Sequence, residues 1–428
     1  MITKPISFEY IEDKAHLGGH SLLDLVETYK TPLYVLDKDT ICHNSKQFLD
    51  PLKAHYPNSK VLYAGKANLT LGIAQLITEL GLHLDVSSGG ELYTAIKAGV
   101  PPSNIYFHGN NKTHEELNLA IQHGVTCIID NKQELENLCH LHKGKNRIEV
   151  LIRLKPEIDA HTHKYIRTGQ LDSKFGIEKK DCIPFIKEIL KHPKLTFKGL
   201  HSHIGSQIFD DKPFLELINI MIPIMKEIKE TLNIDIQELN CGGGMGIFYS
   251  DNDHPLDIQS FIESFCDSFK KECHQHQLAL PTLLFEPGRS LIGPAGITLY
   301  KIGAIKPIEQ IKTYLFVDGG MADNPRPITY GANYSFDTVI KNERPLHHYS
   351  IAGKFCESGD ILGENIALEA CEVGEYILVF GTGAYNYSMA SNYNRNCRPA
   401  MIMVDQSGIT ELVRRESYDD LIRLDQML

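Results

Sequence analysis

Four short segments of the chain carry side chains that could do chemistry. In Tyr63-Ala64-Gly65-Lys66-Ala67-Asn68 a lysine stands among small and apolar residues. Burial disfavours an ammonium ion, lowers a lysine's pKa and frees the amine to attack a carbonyl; the alternative is a surface lysine just past a strand. In His201-Ser202-His203-Ile204-Gly205-Ser206 the alternation puts two imidazoles on one face of a strand, with Ser206 beyond them. Such a pair could ligate a metal, but no third ligand with suitable spacing accompanies it, so no metal is expected. His203 could instead stack on a flat cofactor, or be a hydrogen-bonded core histidine. In Cys241-Gly242-Gly243-Gly244-Met245-Gly246 successive glycines let backbone N–H groups converge on an anion such as phosphate. A glycine turn without a ligand is the plainer reading, and the spacing and following acidic residue of a dinucleotide site are missing. In Glu286-Pro287-Gly288-Arg289 the carboxylate can pair with a protonated ring nitrogen and the guanidinium can hold an anion through two parallel bonds, unless the two form an internal salt bridge.

These segments need a scaffold that brings them together. Short β-rich runs alternate with helical periodicity between about residues 60 and 287. The expected strands are Val61–Ala64, Leu82–Val86, Ile105–Phe107, Thr126–Ile129, Glu149–Leu154, Phe197–His201, Ile236–Asn240 and Thr282–Phe285. Between them, sets such as Ile73, Leu76, Ile77, Leu80 and Ile258, Phe261, Ile262, Phe265 repeat at helical spacing. Eight such alternations predict an α/β fold of the eight-fold β/α (TIM-type) barrel kind, spanning residues 37–287. After Pro287, runs such as Ile297–Ile305, Tyr314–Val317, Tyr376–Phe380, Ala400–Val404 and Ile409–Val413 predict a mostly β domain over 288–428. The strand-like run Leu33–Leu36 is expected to join it, so that residues 1–36 and the C-terminal part share one domain.

In such a barrel, active-site groups hang from the C-terminal ends of the strands. The four segments follow strands one, six, seven and eight. Together they describe a pocket for pyridoxal 5'-phosphate. Lys66 condenses with its aldehyde, His203 covers the ring, Gly242–Gly244 with Gly288 and Arg289 hold the phosphate, and Glu286 keeps the ring nitrogen protonated.

Composition bounds what else the chain does. Its 428 residues are 42% hydrophobic and 23% charged, the balance of a globular protein rather than a disordered one. The formal charge of −11 argues against a nucleic acid or an acidic membrane as partner. No apolar run approaches the ~20 residues of a membrane span, and Met1–Tyr10 does not read as a signal peptide. Ten scattered cysteines without a Cys-x-x-Cys pair predict thiols in a reducing, cytoplasmic setting. Cys266 and Cys273 read as core or surface thiols, His161 and His163 as loop residues, and His274 and His276 as a solvated helix end.

The ordered motifs YAGKAN (Tyr63–Asn68), DVSSGGEL (Asp85–Leu92), DAHTHKYIRTGQLDSKFGI (Asp159–Ile177), HSHIGSQ, CGGGMGI, EPGRSL, VDGGMADNPRPITYGA (Val317–Ala332), CESGD (Cys356–Asp360) and GAYNYSMASNYN (Gly383–Asn394) extend this reading. With them the chain resembles, from about Thr31 to Val404, the fold-type III (alanine racemase-like) decarboxylases of basic amino acids, and most of all the diaminopimelate decarboxylases. The resemblance implies cofactor contacts for Lys66, Asp85, His203, Ser206, Gly242, Gly243, Gly244, Glu286, Pro287, Gly288, Arg289 and Tyr385. It implies that Arg289, Arg326, Tyr330 and Tyr385 meet the substrate, with Glu357 accepting the distal ammonium. Catalytic roles fall to Lys66, His203 and Cys356, the thiol protonating the carbon that loses CO2 unless a relay ending in Lys66 does so. In such enzymes the CESGD loop comes from a partner subunit, which implies a homodimer with shared sites. The implied reaction converts meso-2,6-diaminopimelate to L-lysine and CO2. Departures are local: Gly65 stands where a bulkier residue is common, and Asn396-Cys397 precedes Arg398-Pro399.

Two other readings compete. One is a decarboxylase of ornithine, lysine, arginine or carboxynorspermidine, for which Arg326 has no clear counter-ion. The other is a non-catalytic pyridoxal phosphate binder or regulator on the same scaffold, which intact Lys66, His203, Glu286 and Cys356 oppose.

Overall fold

The computed structural model describes residues 4–158, 173–250 and 252–428. Asp159–Asp172 of the long motif, with His161 and His163, lie outside the described residues. Contacts divide the chain into two units: residues 45–246 with 255–290, and residues 1–44, 247–254 and 291–428.

The first unit is a closed barrel of eight parallel strands. In chain order they are Ser59–Ala64, His83–Val86, Ile105–Phe107, Thr126–Ile129, Ile148–Arg153, Leu195–His201, Glu238–Asn240 and Thr282–Phe285. All eight expected strands are present, displaced by at most two residues at either end. They are nearly continuous apolar runs because helices cover them outside and side chains fill them inside. Leu62, Tyr106, Ile128, Leu151 and Leu284 form one buried cluster within this unit.

Helices follow the strands where capping residues tell them to start. Thr70 accepts from Ile73 N to open Leu71–Glu79, immediately after the lysine turn. Ser88 opens Gly89–Lys97 in the same way. Thr113 and Glu116 make a reciprocal capping box for His114–His123, which stops at Gly124 in the left-handed region. The expected helical face of Ile258–Gln275 buries Phe261, Ile262, Phe265, Cys266, Phe269 and Cys273, so both cysteines are core thiols. His274 and His276 at its end are exposed.

The second unit is built on a nine-stranded sheet. Its path runs Ile361–Glu369, Leu346–Ala352, Lys312–Val317, Gly296–Ile308, Leu33–Asp37, Ala400–Asp405, Gly408–Val413, and Tyr376–Phe380 joins the long strand and Phe336–Thr338. Leu33–Asp37 is paired on both sides, antiparallel to Gly296–Leu299 and parallel to Ala400–Val404. The N-terminal run therefore does join the C-terminal strands. Strands Leu346–Ala352, Ile361–Glu369 and Phe336–Thr338, and a small N-terminal sheet of Glu9–Ile11, Lys14–Leu17 and His20–Ser21, were not expected from the sequence. Leu-His-His-Tyr-Ser-Ile-Ala has no clean two-residue alternation, and the others are short or interrupted by Gly and Asn, so periodicity cannot mark them.

Candidate active site

Within the barrel the lysine turn is a single 3-10 turn, Gly65–Ala67, between strand one and the helix capped by Thr70. Tyr63 Oη donates to Asn68 O at 2.7 Å and closes the turn. Ala64 N donates to Pro287 O at 3.1 Å, tying the ends of strands one and eight together. A Cβ on Gly288 would come within 3.0 Å of the Ala64 Cβ and 3.2 Å of the Ala67 Cβ, so the turn and the Glu286–Arg289 segment pack against each other. Lys66 itself is exposed, with Gly65, Ala67 and Asn68 buried around it. Of the two readings of this lysine, a buried amine and a surface residue just past a strand, the structure has the exposed one, and what surrounds Lys66 is charge. Its ammonium acts on Asp85, Glu91 and His203. Burial pushes Glu91 up to about 7 and Asp85 upward.

His203 is held neutral by burial, with the charges of Lys66 and Arg153 adding to the effect. Gly243 N donates to its Nδ1 at 3.3 Å, which places the imidazole proton on Nε2. His201 faces elsewhere. Its Nε2 lies 3.1 Å from Glu286 Oε2, so the two imidazoles do not act as the pair that strand alternation suggested. The strand ends at His201, two residues before His203.

The glycine turn is set by steric closeness. A Cβ on Gly243 would sit 2.0 Å from Glu286 O, and one on Gly244 would sit 2.3 Å from Gly205 O. Gly242 N donates to Asn240 Oδ1 at 2.9 Å, so the amides of Gly242 and Gly243 are already used. No bond from the Gly244 amide is made among the described residues. Nearby, Arg289 Nη2 donates to Ser206 Oγ at 3.1 Å.

Glu286, at the end of strand eight, is buried. His108 Nε2 approaches its Oε1 at 2.8 Å, and Asn240 Nδ2 donates to Oε1 at 2.6 Å. Burial alone would raise this carboxyl, but His108 and His201 hold it well below the ordinary range. Asp85 Oδ1 is buried without a hydrogen-bond partner, 3.6 Å from His108 Nε2. His108, His201 and Glu286 form the one three-ligand cluster among the described residues. There, His201 Nε2 and Asn240 Nδ2 hydrogen-bond the carboxylate, whereas His108 Nε2 makes no hydrogen bond among the described residues.

These residues fit pyridoxal phosphate. A primary amine stands at the barrel mouth, a flat neutral imidazole lies beside it, and a carboxylate is kept ionised in a buried place. The glycine turn tolerates no added atom, leaves the Gly244 amide unused, and lies in the same unit as a hydroxyl–guanidinium pair suited to phosphate.

The strand-rich unit carries the remaining residues. Arg326 begins the short helix Arg326–Tyr330 and is buried. Its guanidinium carbon lies 5.2 Å from the Tyr330 ring, 5.5 Å from Tyr385 and 5.8 Å from Tyr249. Burial works against the cation, but Tyr249, Tyr334 and Tyr385 more than offset it. Among the described residues Arg326 makes no ion pair. Tyr385 adopts a φ of 63°, in the left-handed region. Cys356 and Glu357 are exposed on a loop anchored by buried Asp360. Asp360 accepts from Met321 N at 2.6 Å and from Phe355 N at 2.8 Å, and Cys356 N donates to Asn394 Oδ1 at 2.9 Å.

Sequence reasoning missed His108, Asn240, Arg153, Tyr249 and Tyr334. The first three were within reach, because each stands at or just past the end of a barrel strand. The two tyrosines carry no local signal.

Residues 41–293 match the model of the pyridoxal-dependent decarboxylase, pyridoxal binding domain family. A diaminopimelate decarboxylase of Synechocystis sp. is 42% identical over 96% of this chain and 89% of its own length. That of Bacillus subtilis is 42% identical over 96% of this chain and 94% of its own. The crystal structure of diaminopimelate decarboxylase from M. jannaschii in complex with L-lysine superposes with a TM-score of 0.92 at 33% identity, covering 100% of this chain and 99% of that one. A barrel mouth fitted for pyridoxal phosphate, a family model covering the barrel and full-length likeness to these enzymes lead to one conclusion: the chain belongs to the diaminopimelate decarboxylase family.

Proposed function

We propose that this chain removes one carboxylate of meso-2,6-diaminopimelate as CO2 and releases L-lysine, the last step of lysine biosynthesis, with pyridoxal 5'-phosphate as cofactor. What carries the substrate reading is Arg326: a buried guanidinium among tyrosine rings, without an ion pair among the described residues. Burying a cation without a counter-ion is costly, and a substrate carboxylate removes that cost. Ornithine, lysine and arginine have no second carboxylate to offer.

Pyridoxal phosphate, when bound, supplies an aldehyde for condensation with an amine and a ring that accepts the electron pair left by CO2. Lys66 would hold it by its amine, His203 would lie on the ring face, and Glu286 would keep a proton on the ring nitrogen. Ser206, Arg289, Gly288 and the Gly244 amide would hold the phosphate. Gly242 and Gly243 shape the turn, Pro287 joins it to the lysine strand, and Asp85 lines the same mouth. Arg326 and Tyr330 bind the distal carboxylate, Glu357 binds the distal ammonium, and Tyr385 and Arg289 complete the contacts. Two charges of opposite sign at fixed places select which end of the substrate reacts. Cys356 delivers a proton to the carbon that has lost CO2.

The Cys356–Glu357 loop is exposed on its own chain yet pinned by Asp360, which supports a homodimer in which each loop serves the partner's barrel. No disulfide forms among the described residues, and none of their helices is long and apolar enough to cross a membrane. A thiol acid requires a reducing setting, which supports a cytoplasmic location.

The test is CO2 release from purified chain with pyridoxal phosphate and, separately, meso-diaminopimelate, ornithine, lysine and arginine. Release from diaminopimelate, abolished in Lys66→Ala, is expected. Release from ornithine but not diaminopimelate rejects the substrate, and full activity in Lys66→Ala rejects the cofactor assignment.

A further inference from the structure

His108 and His201 lie outside both the lysine turn and the glycine turn, yet each places Nε2 within hydrogen-bond reach of one oxygen of Glu286. Building on the cofactor reading above, we infer that His108 and His201 are positioning residues that hold Glu286 as an ionised carboxylate in one fixed orientation. His201 and Asn240 bring hydrogen bonds from the ends of strands six and seven onto a carboxylate at the end of strand eight, and His108 Nε2, just past strand three, lies 2.8 Å from Oε1 as a close polar contact without hydrogen-bond geometry. Glu286 cannot rotate without breaking its bonds to His201 and Asn240 and losing its contact with His108. A carboxylate buried this deeply takes up a proton unless donors face it, and a protonated Glu286 could not keep a second proton on a ring nitrogen.

His201 does this as a neutral donor. Burial brings His201 down to about 4, so its proton stays on Nε2 and the negative charge stays on Glu286. The rings of His108 and His201 meet edge to face at 4.6 Å, so each also limits the other's rotation. Lys112 steadies the His108 side. It is buried, and its Nζ donates to Gly109 O at 3.0 Å and Ile128 O at 2.9 Å while pairing with Glu134 at 2.6 Å.

The test compares His108→Leu, His201→Leu, His201→Gln and a Glu286→Gln reference, each loaded with pyridoxal phosphate. Three readouts apply: the absorption band of the bound cofactor, its affinity by fluorescence titration, and kcat against KM. Each leucine variant should lower kcat about 10- to 100-fold with little change in KM, and should move the absorption band towards that of Glu286→Gln. His201→Gln, whose amide can donate from the Nε2 position, should recover most of the loss. If a leucine variant does not fold, His201→Asn replaces it, since its shorter amide cannot reach Oε2. Leucine or asparagine variants with the wild-type band and kcat overturn the inference, as does a glutamine variant no better than leucine. A wild-type chain that takes up no pyridoxal phosphate overturns both this inference and the cofactor reading; normal uptake with unmoved variants overturns this one alone.

Discussion

Replacing Arg326 by methionine should separate activity from stability. Methionine keeps the apolar stem and most of the volume but removes the guanidinium. If that group meets a carboxylate through two parallel charge-assisted bonds, each contributing roughly 1.5–3 kcal/mol, the loss is about 3–6 kcal/mol. That corresponds to a fall in kcat/KM for meso-diaminopimelate of roughly a hundredfold to ten-thousandfold. The fold should respond quite differently. The buried cation makes no ion pair among the described residues, so its removal relieves a desolvation penalty. Against this stand the contacts to three tyrosine rings at 5.2, 5.5 and 5.8 Å, each worth about 0.5–2 kcal/mol. The two effects oppose, and a net change within about 2 kcal/mol moves Tm by only a few degrees in a chain of this size. The assay is steady-state CO2 release alongside a thermal melt of the same preparation. A loss of less than about tenfold would show that no carboxylate meets Arg326. A large drop in Tm would make the guanidinium part of the scaffold and refute the reasoning.

Mixing offers a second check. If each active site takes Cys356 and Glu357 from the partner subunit, Lys66→Ala and Cys356→Ala chains, each inactive alone, should recover about a quarter of wild-type activity after subunit exchange at equal amounts. No recovery, with exchange shown by mass, would place both residues in a site within one chain. The pH dependence of stability gives a third. Burial raises Asp323 to about 7, so the folded chain binds more protons than the unfolded one between about pH 4 and 7. The stability advantage of wild type over Asp323→Asn should therefore shrink as pH rises through that window and stay level above it. Urea melts that show the advantage growing with pH would contradict the assignment.

The barrel was legible because its code is local. Thr126–Ile129 and Thr282–Phe285 are short apolar runs flanked by turn residues and helical periods, and the structure places those two strands at the expected residues. Reading the ends of strands one, six, seven and eight led to Lys66, His203, Gly244 and Glu286. What those residues touch was less legible. His108 and Asn240 reach Glu286 only because the barrel closes, bringing together residues separated by as many as 178 positions along the chain. The apolar neighbours of Lys66 leave a buried amine and a surface lysine equally open in the sequence; the fold buries Gly65, Ala67 and Asn68 and leaves the lysine exposed. In the strand-rich unit the tyrosines around Arg326 come from residues 249, 330, 334 and 385. No period connects such positions, and only motif likeness pointed to Arg326 at all.

The placement of Leu33–Asp37 has a consequence for synthesis. All five residues are buried, and the partners on either side begin at Gly296 and Ala400. At about 5–20 residues per second, a ribosome leaves this segment without its second neighbour for roughly 20–70 s. Throughout that interval an apolar stretch with unsatisfied edges is available to other nascent chains. A translation product that stops short of Ala400 never loses that hazard, so truncated transcripts of this gene should yield aggregates even when every residue of the barrel has been made.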